Sequence, residues 1–263
     1  MQAELHLVDA FTRSAFRGNP AGVCILEGPA DAAWMQQVAA ELKHSETVFL
    51  FPEDPGWNLR WFTPAKEVEL CGHATLAAAS VLYSTGRVLP DKAIVFETLS
   101  GKLTVRQDGD WISMDFPAEP ATTSMPVPGL GAALGVEPRY TGRNRFDYLV
   151  ELPLADDVCS LEPDMEALAV IHTRGFIVTA ASDVPEIDFV SRFFAPSVGV
   201  PEDPVTGSAH CCLAHYWGEK LGKTEMTGFQ CSARGGSVRV KLAGDRVILS
   251  GHAVPVFLGK LLV

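Results

Sequence analysis

The sequence predicts an α+β chain built from two similar halves. Residues 101–120 align without gaps on residues 236–255, at an offset of 135, with six of twenty positions identical. Each copy alternates apolar and polar residues around a Gly-Asp turn, Gly109-Asp110 and Gly244-Asp245, which is the pattern of a β-hairpin. Two helix-length stretches, opening at Gly72-His73 and Gly207-Ser208, precede the hairpins in the same order. Arg60-Trp61-Phe62-Thr63-Pro64 similarly parallels Arg192-Phe193-Phe194-Ala195-Pro196. More loosely, His44–Phe49 mirrors His172–Ile177, which aligns Arg174 with Glu46. The prolines at 117, 120, 126 and 128 mark the join, giving halves 1–118 and 119–263, with the last strand free to return to the first half.

Each element has its own signal. Leu5–Phe11, Gly22–Leu26, Thr47–Phe51 and Asn58–Phe62 read as strands, and 31–42 as an amphipathic helix capped near Asp31. A helix over 73–85 follows, closed by Gly86, and then strands at Ile94–Thr98, Lys102–Gln107 and Trp111–Phe116. The second half repeats the order, with strands near Asp147–Glu151 and Phe176–Ala180, a helix over 208–220 closed by Gly222, and the final hairpin.

Composition excludes several functions. The 263 residues are 47% hydrophobic and 20% charged, an ordinary globular balance long enough for a substantial core. A net charge of −11 argues against nucleic acid and anionic membranes as partners. No apolar run approaches the roughly 18 residues that span a bilayer. Acidic Glu4 stands where a signal peptide would carry basic residues. Six cysteines without a CxxC pair read as reduced thiols, and a cytoplasmic location is expected.

The two helix starts carry the candidate chemistry. A helix N-terminus offers unpaired N–H groups and partial positive charge to a carboxylate, and Gly72 and Gly207 allow close approach. If the halves face each other, both starts meet in one cleft around a small anion. Glu46 is the leading acid–base candidate, because a carboxylate entering the apolar strand Val48–Phe51 is partly desolvated and becomes a better base. Asp203, just before the second helix, is the next candidate. Against these stand plainer roles: Ser208 as a helix cap, His73 as a polar residue at a helix start, Asp203 as a turn former before Pro204. Gly129–Gly135 resembles a dinucleotide loop but lacks a strand before it. The cluster His210, Cys211, Cys212 and His215 lacks a second ligand pair, so no metal is expected.

Several motifs together resemble the phenazine biosynthesis protein PhzF family of isomerases: Phe16-Arg17-Gly18-Asn19-Pro20-Ala21-Gly22-Val23, His44-Ser45-Glu46-Thr47, Glu69-Leu70-Cys71-Gly72-His73-Ala74-Thr75 and Asp203-Pro204-Val205-Thr206-Gly207-Ser208. They run in order along most of the chain. The resemblance implies a diaminopimelate epimerase-like fold, each half a curled, mostly antiparallel sheet or barrel around a central helix, with the site between the halves. It implies a homodimer, a small carboxylate substrate and no cofactor. Glu46 matches the catalytic proton carrier, with His73, Asp203 and Ser208 as catalytic partners, and Gly72, Gly207, Asn19 and Thr206 as substrate-binding residues. The implied reaction moves a proton between carbons and shifts a double bond. Two alternatives accompany it: a racemase or hydroxy amino acid dehydratase, and a non-catalytic binding or scaffold protein. The related epimerases use two opposed thiols. Cys71 stands where one belongs, and Pro204-Val205 reads as the thiol-free counterpart in the second half.

Overall fold

A computed structural model describes residues 3–262. The chain forms two compact units: one runs to Phe116 and resumes at Ser250, and the other is Pro117–Leu249. The first comprises strands β1 (Ala3–Ala10) and β2 (Asn19–Ile25), helix α1 (Ala32–Leu42), β3 (Glu46–Glu53), β4 (Gly56–Phe62), β5 (Glu67–Val68), helix α2 (Gly72–Ser84), β6 (Ile94–Thr98), β7 (Gly101–Asp108) and β8 (Trp111–Pro117). The second begins with β9 (Thr122–Thr123), α3 (Leu130–Leu134), β10 (Tyr140–Arg143), β11 (Asp147–Glu151), α4 (Ala155–Cys159) and α5 (Met165–Ala169). It continues with β12 (Gly175–Ala181), β13 (Phe189–Ala195), β14 (Val200–Asp203), α6 (Gly207–Leu221), β15 (Glu225–Gln230), β16 (Gly236–Ala243) and β17 (Arg246–Gly251). A final strand, β18 (Ala253–Leu261), pairs antiparallel with β1.

The two units use the same strand ladder. In the first, β1–β2 is antiparallel, β2–β3 parallel, β3–β4 and β4–β5 antiparallel, β4–β6 parallel and β6–β7 antiparallel. In the second, β10–β11 is antiparallel, β11–β12 parallel, β12–β13 and β13–β14 antiparallel, β13–β15 parallel and β15–β16 antiparallel. The long helix lies between the fifth and sixth strands of each series. One side-chain device is duplicated too. Arg60 grips Glu67 through two bonds of 2.7 and 2.8 Å, and Arg192 grips Glu202 through bonds of 2.7 and 3.0 Å. Each guanidinium also lies over a phenylalanine two residues on, Phe62 at 5.3 Å and Phe194 at 4.8 Å.

Local chemistry explains the elements. Asp31 caps α1 by accepting from Ala33 and Trp34 N–H at 2.8 and 3.1 Å. That helix buries Met35, Val38 and Ala39, an i, i+3, i+4 stripe, against Phe49, Phe51 and Phe62. Strand β3 is paired on both sides, so its Val48–Phe51 run is apolar without alternation. Gly109 and Gly244 hold φ of 60° and 69° at the hairpin turns, a left-handed backbone that suits glycine. In α2 every residue from His73 to Tyr83 is buried, which makes it the central helix around which β1, β2 and β3 curl. Helix α6 buries Ala209–Ala214 in the same way within its own unit. The α+β class holds. Strands β5, β9, β10, β14 and β15 and the five-residue helices α3, α4 and α5 go beyond the elements expected from the sequence; β5 and β9, at two residues each, are too short for periodicity. The glycine-rich segment at 129–135 is α3 with a left-handed glycine at each end.

Candidate active site

In the first unit, Glu46, His73, Asn19 and Cys71 converge at the start of α2. Glu46 is the first residue of β3, beside Ala21 of β2, and its side chain is 19% exposed. His73 is fully enclosed, and burial together with the nearby His44 pushes its pKa down to about 3. The ring is therefore neutral at physiological pH. Asn19, also without exposure, presents its amide nitrogen to His73 Nδ1 at 3.2 Å. An amide nitrogen only donates, so Nδ1 accepts and the ring hydrogen sits on Nε2. That Nε2 lies 3.3 Å from Glu46 Oε2. The contact joins a neutral donor to a carboxylate and is not an ion pair. Its alignment is poorer than a full hydrogen bond, as catalytic contacts often are before substrate binds.

Cys71 is the N-cap of α2, is buried, and places Sγ 3.5 Å from His73 Nδ1. Glu46, Cys71 and His73 each offer a ligand atom, all within 4.8 Å of one another, and could hold a metal ion. A metal there would need a ring nitrogen of His73 free of hydrogen and the buried Cys71 thiol ionised. His210, from the second cysteine–histidine cluster, instead donates Nδ1–H to Thr206 O at 2.8 Å. Burial lowers its pKa to about 4.

In the second unit, Asp203, Thr206 and Ser208 gather at the start of α6. Thr206 is the N-cap, yet its hydroxyl accepts from no first-turn N–H of the helix and donates to Asp203 Oδ2 at 2.6 Å. Gln230, completely buried, clamps this turn. Its Oε1 accepts from Thr206 N at 2.9 Å and its Nε2 donates to Asp203 O at 2.6 Å. Ser208 Oγ accepts from Arg174 Nη2 at 3.1 Å, which leaves its own hydrogen to donate elsewhere. Arg174 is held in turn by two bonds to Asp147, a carboxylate with no exposure, and lies over Phe146 at 4.8 Å.

Neither N-cap side chain bonds to its own helix. The first-turn N–H groups at Gly72 and at Gly207 therefore remain for an incoming acceptor. Ser208 is not the cap: the helix begins one residue earlier, at Gly207. Sequence reasoning missed Gln230 and Asp147. The first had a signal, since Met226, Gly228 and Gln230 share the buried face of β15 and only an amide there demands polar partners.

Two sequence alignments need correction. The paired Arg–Glu grips fix Glu67 opposite Glu202, each five residues before its helix, so the counterpart of Cys71 is Thr206 and not Pro204-Val205. Strand register also shifts the partner of Glu46. Thr47 pairs with Phe62 and Phe176 with Phe194, which puts Gly175 at the position of Glu46 and Arg174 one residue earlier. The loose motif match was off by one, because short apolar segments align equally well in either register.

The sequence profile of the phenazine biosynthesis-like protein family, PhzC-PhzF, matches residues 8–259. An uncharacterized isomerase of Halalkalibacterium halodurans is 50% identical over 264 residues, covering all of both chains. The crystal structure of a PhzF family protein from Enterococcus faecalis superposes with a TM-score of 0.96 at 38% identity, again over all of both chains. A hydroxyproline epimerase from Agrobacterium vitis, solved with bound trans-4-hydroxy-L-proline, shares the fold alone: TM-score 0.63, 13% identity, 99% of this chain and 92% of that one. No helix among the described residues is long and apolar enough to cross a membrane. With the duplicated ladder, the helix starts and these likenesses together, the chain belongs to the phenazine biosynthesis-like (PhzC-PhzF) family and is an isomerase.

Proposed function

We propose that this isomerase transfers a proton between two carbons of a small carboxylate, with Glu46 as the acid–base carrier. The Glu46 carboxylate takes a proton from one carbon, and the C–H electron pair becomes part of a shifted double bond. Glu46, now a carboxylic acid that is 19% exposed and exchanges its hydrogen with solvent, delivers a proton to the far end of the shifted system. Atoms and electrons balance without an external oxidant or reductant. The observation that carries this reading is the 3.3 Å approach of His73 Nε2 to Glu46 Oε2. Burial keeps the His73 ring neutral, so it does not compete with Glu46 as a base. Proton transfer by a positioned acid–base side chain contributes typically 10²–10⁴-fold in rate.

In the first unit the substrate carboxylate is assigned to the uncapped start of α2 at Gly72. The corresponding groups of the second unit are the start of α6 at Gly207, Ser208, which Arg174 turns into a donor, and Asp203, tied to Thr206. A two-thiol racemase is the weaker reading, since the counterpart of Cys71 is a threonine whose hydroxyl is committed to Asp203. The test is a library of small carboxylates screened by thermal shift, where a ligand at a hundredfold its dissociation constant adds about 2.7 kcal/mol. Stabilising compounds are then incubated with enzyme in deuterated water. Incorporation of one carbon-bound deuterium supports the proposal. Ligands that bind tightly yet exchange no hydrogen and form no isomer would overturn it.

A further inference from the structure

Glu46, Cys71 and His73 together have a capacity that proton transfer does not use. One donor atom from each lies within 4.8 Å of the other two: a carboxylate oxygen, a thiol sulfur and an imidazole nitrogen. Nδ1 of His73 is 3.5 Å from Cys71 Sγ, and Nε2 is 3.3 Å from Glu46 Oε2. Neighbouring ligands on one tetrahedral Zn²⁺ stand about 3.5 Å apart for nitrogen and sulfur, and about 3.3 Å for nitrogen and oxygen. Among the described residues, His73 Nε2 is buried and completes no hydrogen bond, a state that leaves a ring nitrogen open to a ligand. Cys71 and His73 are buried, whereas Glu46 keeps part of its side chain in solvent and gives a cation its way in.

We propose that Glu46, Cys71 and His73 form an inhibitory Zn²⁺ site. The donor set selects the cation. Thiolate and imidazole suit Zn²⁺, whereas Mg²⁺ and Ca²⁺ need several oxygen ligands and find a single carboxylate here. The two short spacings involve opposite ring nitrogens. The cation takes one of them, the single ring hydrogen occupies the other, and the third side chain turns about its own χ angles to close the set. Cys71 gives its thiol proton to solvent, so one proton is released per cation bound. Thiolate and carboxylate cancel the double charge of Zn²⁺, so no net charge is buried. Three protein ligands leave the fourth tetrahedral position to water. Inhibition rests on Glu46 as the proton carrier, because a carboxylate oxygen committed to Zn²⁺ no longer takes a proton from carbon.

The test titrates the full chain, reduced and stripped of metal, with Co²⁺ and then with Zn²⁺. The expected result is a thiolate-to-cobalt charge-transfer band that saturates at one equivalent and is bleached by Zn²⁺ but not by Mg²⁺. Cys71→Ala should lose the band, and Glu46→Gln should bind Zn²⁺ at least about tenfold more weakly. Urea unfolding of both variants separates loss of a ligand from loss of the fold, and Glu46→Gln keeps the test open if Cys71→Ala disturbs the helix start. With a carboxylate that the enzyme turns over, one equivalent of Zn²⁺ should stop deuterium incorporation, and EDTA should restore it. The band needs no substrate, so it tests the site independently of the role of Glu46. No band at one equivalent, or a band that survives in Cys71→Ala, would overturn the site. Turnover at the parent rate with the site filled would overturn the inhibition and, with it, Glu46 as the proton carrier.

Discussion

Two buried neutral histidines make the protein sensitive to mild acid, and the size of the effect follows from their surroundings. Burial lowers the pKa of His73 to about 3 and that of His210 to about 4. In the unfolded chain both titrate near 6.5. The unfolded state therefore binds more protons once the pH drops below about 6.5, and stability falls with pH until the folded-state values are reached. Moving from pH 7 to pH 5 costs about 2 kcal/mol per histidine, about 4 kcal/mol together. His210→Asn isolates one share, because the Asn amide can replace the donor to Thr206 O but cannot take up a proton. Urea unfolding at pH 7 and pH 5 should show the variant losing about 2 kcal/mol less than the parent across that interval. Ring NMR signals of both residues should stay in the neutral form at pH 5 in the native state. An identical pH dependence in variant and parent, or native rings titrating near pH 6.5, would refute the reasoning.

Other perturbations test the supports of the site. Arg174→Met strands the Asp147 carboxylate without its two-bond partner. It should cost about 3 kcal/mol in urea unfolding, the low end for breaking a buried pair because Arg174 is 37% exposed, and Asp147→Asn in the same chain should restore most of it. Gln230→Leu removes the acceptor of the buried Thr206 N–H and one donor to Asp203 O, so unfolding should show a loss of about 1–3 kcal/mol. Cys71→Ala removes the thiol beside His73 Nδ1, and kcat/KM should fall by no more than about tenfold. A thousandfold loss there would point to racemase chemistry through the thiol.

The sequence carried the duplication because hairpins and helix starts are local patterns. Gly109 and Gly244 mark turns that a few residues specify. Glu46 and His73 were legible since each sits where an apolar element begins. The supports were not, because they are long-range: Asp147 meets Arg174 27 positions along, and Gln230 reaches back to Thr206 over 24. Asn19 stood out only within a motif, and its work of fixing the His73 tautomer needs the fold to bring β2 beside α2. Register was the other blind spot. A one-residue slip moved Arg174 onto the position of Glu46, and only strand pairing in both units corrected it.

Glu46→Gln keeps the shape of the side chain and removes its capacity to carry a proton. With a small carboxylate that the parent enzyme turns over in deuterated water, carbon-bound deuterium should appear about 10²–10⁴-fold more slowly in the variant. The thermal shift produced by the same carboxylate should persist. Deuterium incorporated at the parent rate by Glu46→Gln would contradict the assignment of Glu46 as the proton carrier.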